Sequence, residues 1–132
     1  MTEPDYLERL SSDWVNYFSA TNQGQSTLYN PFRVFDIFAT FAPDEFVELI
    51  TITCKLKQSR NSLEMLALGP IQDFLLLHIS NYIEVIEFAS ADNSYLLWAL
   101  QRISKGDIPD EFWNRIIKAR GPINYGEPPS PE

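Results

Sequence analysis

The sequence predicts an all-α domain, and three observations carry that expectation. Apolar residues recur with a helical period in one segment after another. Helix caps and first-turn prolines punctuate these segments at short intervals, and no stretch alternates with a period of two between hairpin signals. The expected architecture is a compact orthogonal or solenoid-like bundle of seven to eight short helices over residues 1–120. A Pro-rich, flexible or draped tail follows over residues 121–132.

The first helix is expected from Thr2-Glu3-Pro4-Asp5, a capping-box pattern with proline in the first turn, to about Ala20. On its wheel Tyr6, Leu7, Leu10, Trp14, Tyr17 and Phe18 share one face, while Asp5, Glu8, Arg9, Asp13 and Asn16 share the other. Thr21 to Asn30 is polar and reads as a loop. Asn30-Pro31 then supplies a cap and a first-turn proline for a helix to about Ala42. In it Phe32, Phe35, Phe38 and Phe41 recur every three residues, so their stripe winds around the helix and the apolar arc reaches roughly 220°. That arc predicts a central helix with neighbours on several sides.

Pro43-Asp44-Glu45 opens the next helix, expected to run to about Lys57 with acids in its first turn and Lys55 and Lys57 in its last. Asn61-x-x-Glu64 is a second capping-box pattern, and Gly69-Pro70 reads as a break between two short helices. A further helix is expected from Asn81 to Ala89, capped by Ser80. Asp92 or Asn93 caps the segment to Ser104, and Asp107-Ile108-Pro109-Asp110 starts the last helix. Four prolines and two glycines among residues 121–132 preclude another.

The chain has 132 residues, enough for one domain that buries roughly two-thirds of its unfolded surface without metal or disulfide. Ten Lys and Arg against 18 Asp and Glu give a net charge of −8. Eight acids and two bases fall in residues 1–50, and four acids with no base in residues 71–100. Direct nucleic-acid binding, which needs a basic surface, is not expected. The acidic start and the lack of a long uncharged apolar run argue against secretion and membrane spans. The single Cys54 fits a reducing compartment, so the expected location is the cytoplasm.

No P-loop, GxGxxG, GxSxG, HExxH or paired CxxC is present. With one Cys and one His, neither a metal site nor a cofactor is expected, and no catalytic residue is assigned. His78 falls on an apolar face between Ile71 and Phe74 and reads as a boundary histidine bonded to backbone. Asp73, in the first turn after Gly69-Pro70, reads as a pin that accepts backbone N–H groups. The acid pairs Asp44/Glu48, Glu84/Glu87 and Asp110/Glu111 read as solvated charge. Tyr95 and Trp98 fall opposite the inner side of their helix, beside Arg102. Trp, Tyr and Arg are the types enriched at binding hot spots, so these three form the expected partner-facing patch.

Leu66-Ala67-Leu68-Gly69-Pro70-Ile71-Gln72-Asp73-Phe74-Leu75, followed by His78, by Ile83-Glu84-x-Ile86-Glu87-x-Ala89 and by Phe112-Trp113-x-Arg115, resembles an uncharacterised bacterial all-helical domain family. The hallmark of that family is a GPLEDLL-type stretch followed by His-Gly. Gln72 and Ile79 stand here where the family tends to have Glu and Gly. The resemblance implies a helical domain in which Gly69, Pro70, Asp73 and His78 belong to a motif, and it implies no activity.

The favoured functional expectation is a non-enzymatic module that binds a protein partner, such as an immunity or antitoxin-like inhibitor of a basic toxin. The alternatives are a small hydrolase-like enzyme using His78 and Asp73 with a carboxylate from a neighbouring helix, and an acidic nucleic-acid mimic.

Overall fold

The computed structural model describes residues 5–19 and 30–129. The expected capping box at Thr2 and the loop over residues 21–29 fall outside or at the edge of these stretches. Six helices form the described structure: α1 (Tyr6–Ser19), α2 (Pro31–Phe41), α3 (Pro43–Thr53), α4 (Arg60–Ala91), α5 (Ser94–Leu100) and α6 (Asp110–Arg120). The count falls below seven to eight because α4 absorbs three expected helices.

Gly69-Pro70 does not break the chain. Residues Arg60–Leu66 pass through a wide π-helical turn, Ala67–Ile71, directly into Gln72–Ala91. Proline lacks the N–H of a regular turn, and its ring would strike the carbonyl four residues back. Widening one turn removes both problems, and the Gln72 N–H reaches back five residues to the Ala67 carbonyl. The glycine has its own reason. A Cβ at Gly69 would lie 2.4 Å from Cε2 and Cζ of the Phe32 ring, so α2 packs on this turn only because the side chain is missing.

The caps of α4 and α5 follow local chemistry. Ser59, two residues before the expected cap, accepts from the Ser62 N–H at 3.1 Å, while Asn61 donates to the Phe18 carbonyl at 3.0 Å. Asn93 Oδ1 accepts from the Leu96 N–H. Helix α3 stops at Thr53, short of Lys55, where Gln58 folds back: its amide donates to Thr53 O and Leu56 O, and its oxygen accepts from Ser62 Oγ. Helix α5 stops at Leu100 because the chain tightens into three-residue turns at Gln101, Arg102 and Ile103. Arg120 from α6 donates to the Leu100 and Ile103 carbonyls at that end.

Aromatic clusters run through the core. Trp14 of α1 is fully buried against Phe18, Phe32 and Phe35, and its indole N–H donates to the Ser62 carbonyl at 3.1 Å. Cys54 is buried as a small hydrophobe, and burial pushes its thiol well above the usual range. Helix α4 is the central rod: it is long and apolar enough by composition to cross a membrane, yet 56% of its most apolar window is buried within the protein. Helix α2 touches α1, α3 and α4 as its wide apolar arc requires, but one edge remains uncovered. Ile37 and Phe41 are 55% and 80% exposed, so the expectation of a fully surrounded α2 is corrected.

Candidate functional site

Helices α2 and α4 meet along a polar seam of three successive steps. Asp36, Thr40 and Asp44 recur every four residues, the first two on α2 and the third opening α3. They face Asp73, His78 and Tyr82 of α4. Asp36 and Thr40 are one helical turn apart on α2, and His78 and Tyr82 one turn apart on α4, whereas Asp44 joins the row across the non-helical Ala42. At the middle step His78 Nε2 lies 3.2 Å from the Thr40 carbonyl, and its ring packs between Phe74 and Tyr82. At the third the Tyr82 hydroxyl donates to Asp44 Oδ1.

The first step is electrostatically unusual, because it sets two carboxyls side by side. Among the described residues no Lys or Arg ion-pairs with Asp36 or Asp73. Asp36 Oδ1 is buried, with no donor when both acids are ionised. A proton on Asp73 supplies a hydrogen bond to the Asp36 carboxyl. That bond, with burial and the like charge of Asp36 behind it, pushes the Asp73 pKa up to about 6. Asp73 therefore does not act as the expected helix-start pin: with the π turn continuing α4, no helix begins there.

A cleft of about 280 Å³ opens at this step, lined by Thr40, Asp73, Leu76 and Leu77. Its surroundings are apolar and bare. Ile37 and Phe41 lie on α2 within one turn of Thr40. On α4 the exposed arc carries Leu77 at 57% exposure and continues through Val85 to Phe88 at 83%. Large bare apolar side chains gathered on one face mark interaction surfaces, and here they gather at the cleft, since exposed Asn81 and Glu84 interrupt the row between Leu77 and Phe88. A larger groove, about 390 Å³ between α1 and α2, contains Arg9 and Asp13, and both already have partners.

Asp73 carries a pH prediction. Its folded value lies above the unfolded carboxylate value of 3.8, so the folded state binds this proton more tightly. The stabilising contribution is complete below about pH 4, fades as pH rises through about 6, and is absent above it. Asp73→Asn should therefore raise stability at pH 8 by on the order of 1 kcal/mol, allowing for screening at a partly exposed site, and should change little at pH 4. Thermal melts at the two pH values check this; a variant less stable than the native chain at pH 8 contradicts it.

Tyr95 and Trp98 are 3% and 1% exposed, so they present no surface to a partner, contrary to the sequence expectation. Trp98 lies under the Arg102 guanidinium, 3.6 Å from the ring centre, with Arg60 at 5.6 Å on the same ring. The helix wheel could not show this cover, which comes from two arginines and from the chain after α6. Of the acid pairs, Glu87 is held by a two-point bridge from Arg115, 2.9 and 2.6 Å, which lowers its pKa. Asp110 pairs with Lys105. Asp36 and the Ile37/Phe41 edge are the site residues that the sequence did not single out.

Among the described residues no group of three or more His, Cys, Asp or Glu is placed to hold a metal ion. Comparison with curated proteins and with solved structures finds no significant match. A family model does match, over residues 20–123, and the chain belongs to the family of unknown function DUF6869.

Proposed function

We propose that this chain is a non-enzymatic protein-binding module whose partner seats on the α2/α4 face and presents a basic side chain to Asp36 and Asp73. A basic toxin, with this chain as its inhibitor, is the partner class that the chain's size and net charge of −8 favour most. One observation carries the reading: a pair of carboxyls without a cation lies at a cleft lined by Leu76 and Leu77, with Ile37 and Phe41 bare on the adjoining α2. Two like charges held together destabilise the free protein, and a Lys or Arg between them reverses that sign. Apolar contacts around such a pair exclude water and strengthen it.

The hydrolase alternative needs Asp73, His78 and a second carboxylate at one cleft. Asp73 and Asp36 do meet, but His78 is engaged with the Thr40 carbonyl and is not among the cleft's lining residues. The nucleic-acid mimic needs carboxylates arrayed on one face, whereas the acids here lie on α1, α2, α3, α4 and α6.

A photo-crosslinking residue in place of Leu77, in the intact chain inside its native cell, tests the reading. One discrete adduct is expected. It should be lost when Asp36 and Asp73 are both changed to Asn, and the purified complex should weaken with salt. Phe41→Ala should then weaken the complex about tenfold, corresponding to about 1.4 kcal/mol. No adduct from Leu77 or from Phe88, with one forming instead from Ile117 on α6, overturns it.

A further inference from the structure

The chain leaves α6 through Gly121, at φ +68°, where a side chain would meet nothing within 4 Å. Positive φ favours glycine, and the open surroundings make this point a swivel. The segment beyond it lies across three side chains. Gln101 accepts from the Asn124 N–H at 2.8 Å and donates to the Arg120 carbonyl at 3.0 Å. Arg102, stacked on Trp98, donates to the Asn124 carbonyl. Arg60 donates to the Gly126 carbonyl at 3.3 Å and meets the Glu127 carboxylate at 3.5 Å.

These contacts take backbone groups and one carboxylate, while Ile123 and Tyr125 stay exposed. The platform therefore reads the backbone of a turn followed by an acid, a turn held by the Asn124 side chain, which accepts from the Gly126 N–H at 2.8 Å and donates to the Glu127 carbonyl at 3.3 Å. Its charge is only partly met within the helix: two guanidiniums share one indole, Arg60 is paired with Glu64 at 3.0 Å, and burial and then the neighbouring Arg60 lower the pKa of Arg102.

We propose that Arg60, Gln101 and Arg102 over Trp98 form a recognition site for an acidic peptide turn, which the chain's own Asn124–Glu127 segment occupies and which a partner's segment of the same turned, acidic chemistry takes by exchange. The site lies apart from the α2/α4 face and does not depend on it. An internal competitor acts at an effective concentration of about millimolar, so it masks the site until displaced.

The test uses the intact chain and a fluorescent peptide with the sequence of residues 121–129. Asn124→Pro with Glu127→Lys removes the Gln101 donor and the carboxylate from the strap while leaving the platform whole. That variant should bind the peptide at least about tenfold more tightly than the native chain. Arg102→Lys in the same background should abolish the gain, since an ammonium cannot reproduce the stacked fork. Arg60→Gln provides a second loss-of-site variant if the first lowers helical content. Equal peptide affinity in native and strap-weakened chains overturns the proposal, as does undiminished binding in a folded Arg60→Gln variant.

Discussion

Replacing Trp14 by Ala is expected to remove about 3–5 kcal/mol of stability, a large share of what a domain of this size possesses. Its ring is fully buried and joins three helices, with centroids 4.5 Å from Phe18, 4.5 Å from Phe35 and 6.0 Å from Phe32. Truncation opens a cavity that α1, α2 and α4 can close only by moving together. It also strips the Ser62 carbonyl of its indole donor in a buried bond. Trp14→Phe should recover most of the packing and lose mainly the hydrogen bond, a cost of about 1–2 kcal/mol. Urea denaturation followed by circular dichroism measures both. A Trp14→Ala chain within about 1 kcal/mol of the native chain would mean that the aromatic cluster does not organise the fold.

The second large effect is expected at Gly69. Alanine normally improves a helix by about 1 kcal/mol relative to glycine. Here the sign should reverse, because the new Cβ would fall 2.4 Å from two ring atoms of Phe32, and that ring already rests against Trp14. Overpacking of this kind costs about 1–3 kcal/mol, so Gly69→Ala should lose about 1–2 kcal/mol net. Phe32→Leu shortens the side chain that it strikes, and in that background the alanine should be neutral or stabilising. The double-mutant cycle should show a coupling of about 1–2 kcal/mol. Additive effects would contradict the close approach of α2 to the π turn.

Much of the helical pattern was legible because it is local. Asn30-Pro31, Pro43 and Asn93 mark helix starts by chemistry within four residues, and the observed helices begin there. Gly69-Pro70 carries a local signal for a stop, and what overrides it is distant. Phe32, 37 residues earlier, needs the missing Cβ, and burial of residues on both sides keeps α4 continuous. The fate of Trp98 was hidden for the same reason, since its cover includes Arg60 from another helix.

The candidate site is less legible still. Asp36 falls in the polar gap of its wheel and Asp73 reads as a helix-start pin, and only the crossing of α2 and α4 brings them together. Phe41 looks like one more core phenylalanine; its exposure follows from where α2 ends, which periodicity does not report. His78 was readable as a boundary residue from its wheel, and its carbonyl partner, Thr40, was not.

The coupled acids at the α2/α4 seam are the feature on which the functional reading turns, and their titration in the intact chain is the direct measurement. Carbon-detected NMR of the aspartate side chains should show Asp73 releasing its proton at about pH 6, because the Asp36 carboxyl beside it and burial both favour the protonated form. In Asp36→Asn the Asp73 value should fall toward that of an ordinary carboxylate. An Asp73 carboxyl that titrates near 4 in the native chain, unmoved by Asp36→Asn, would show that the two acids do not meet and would remove the site.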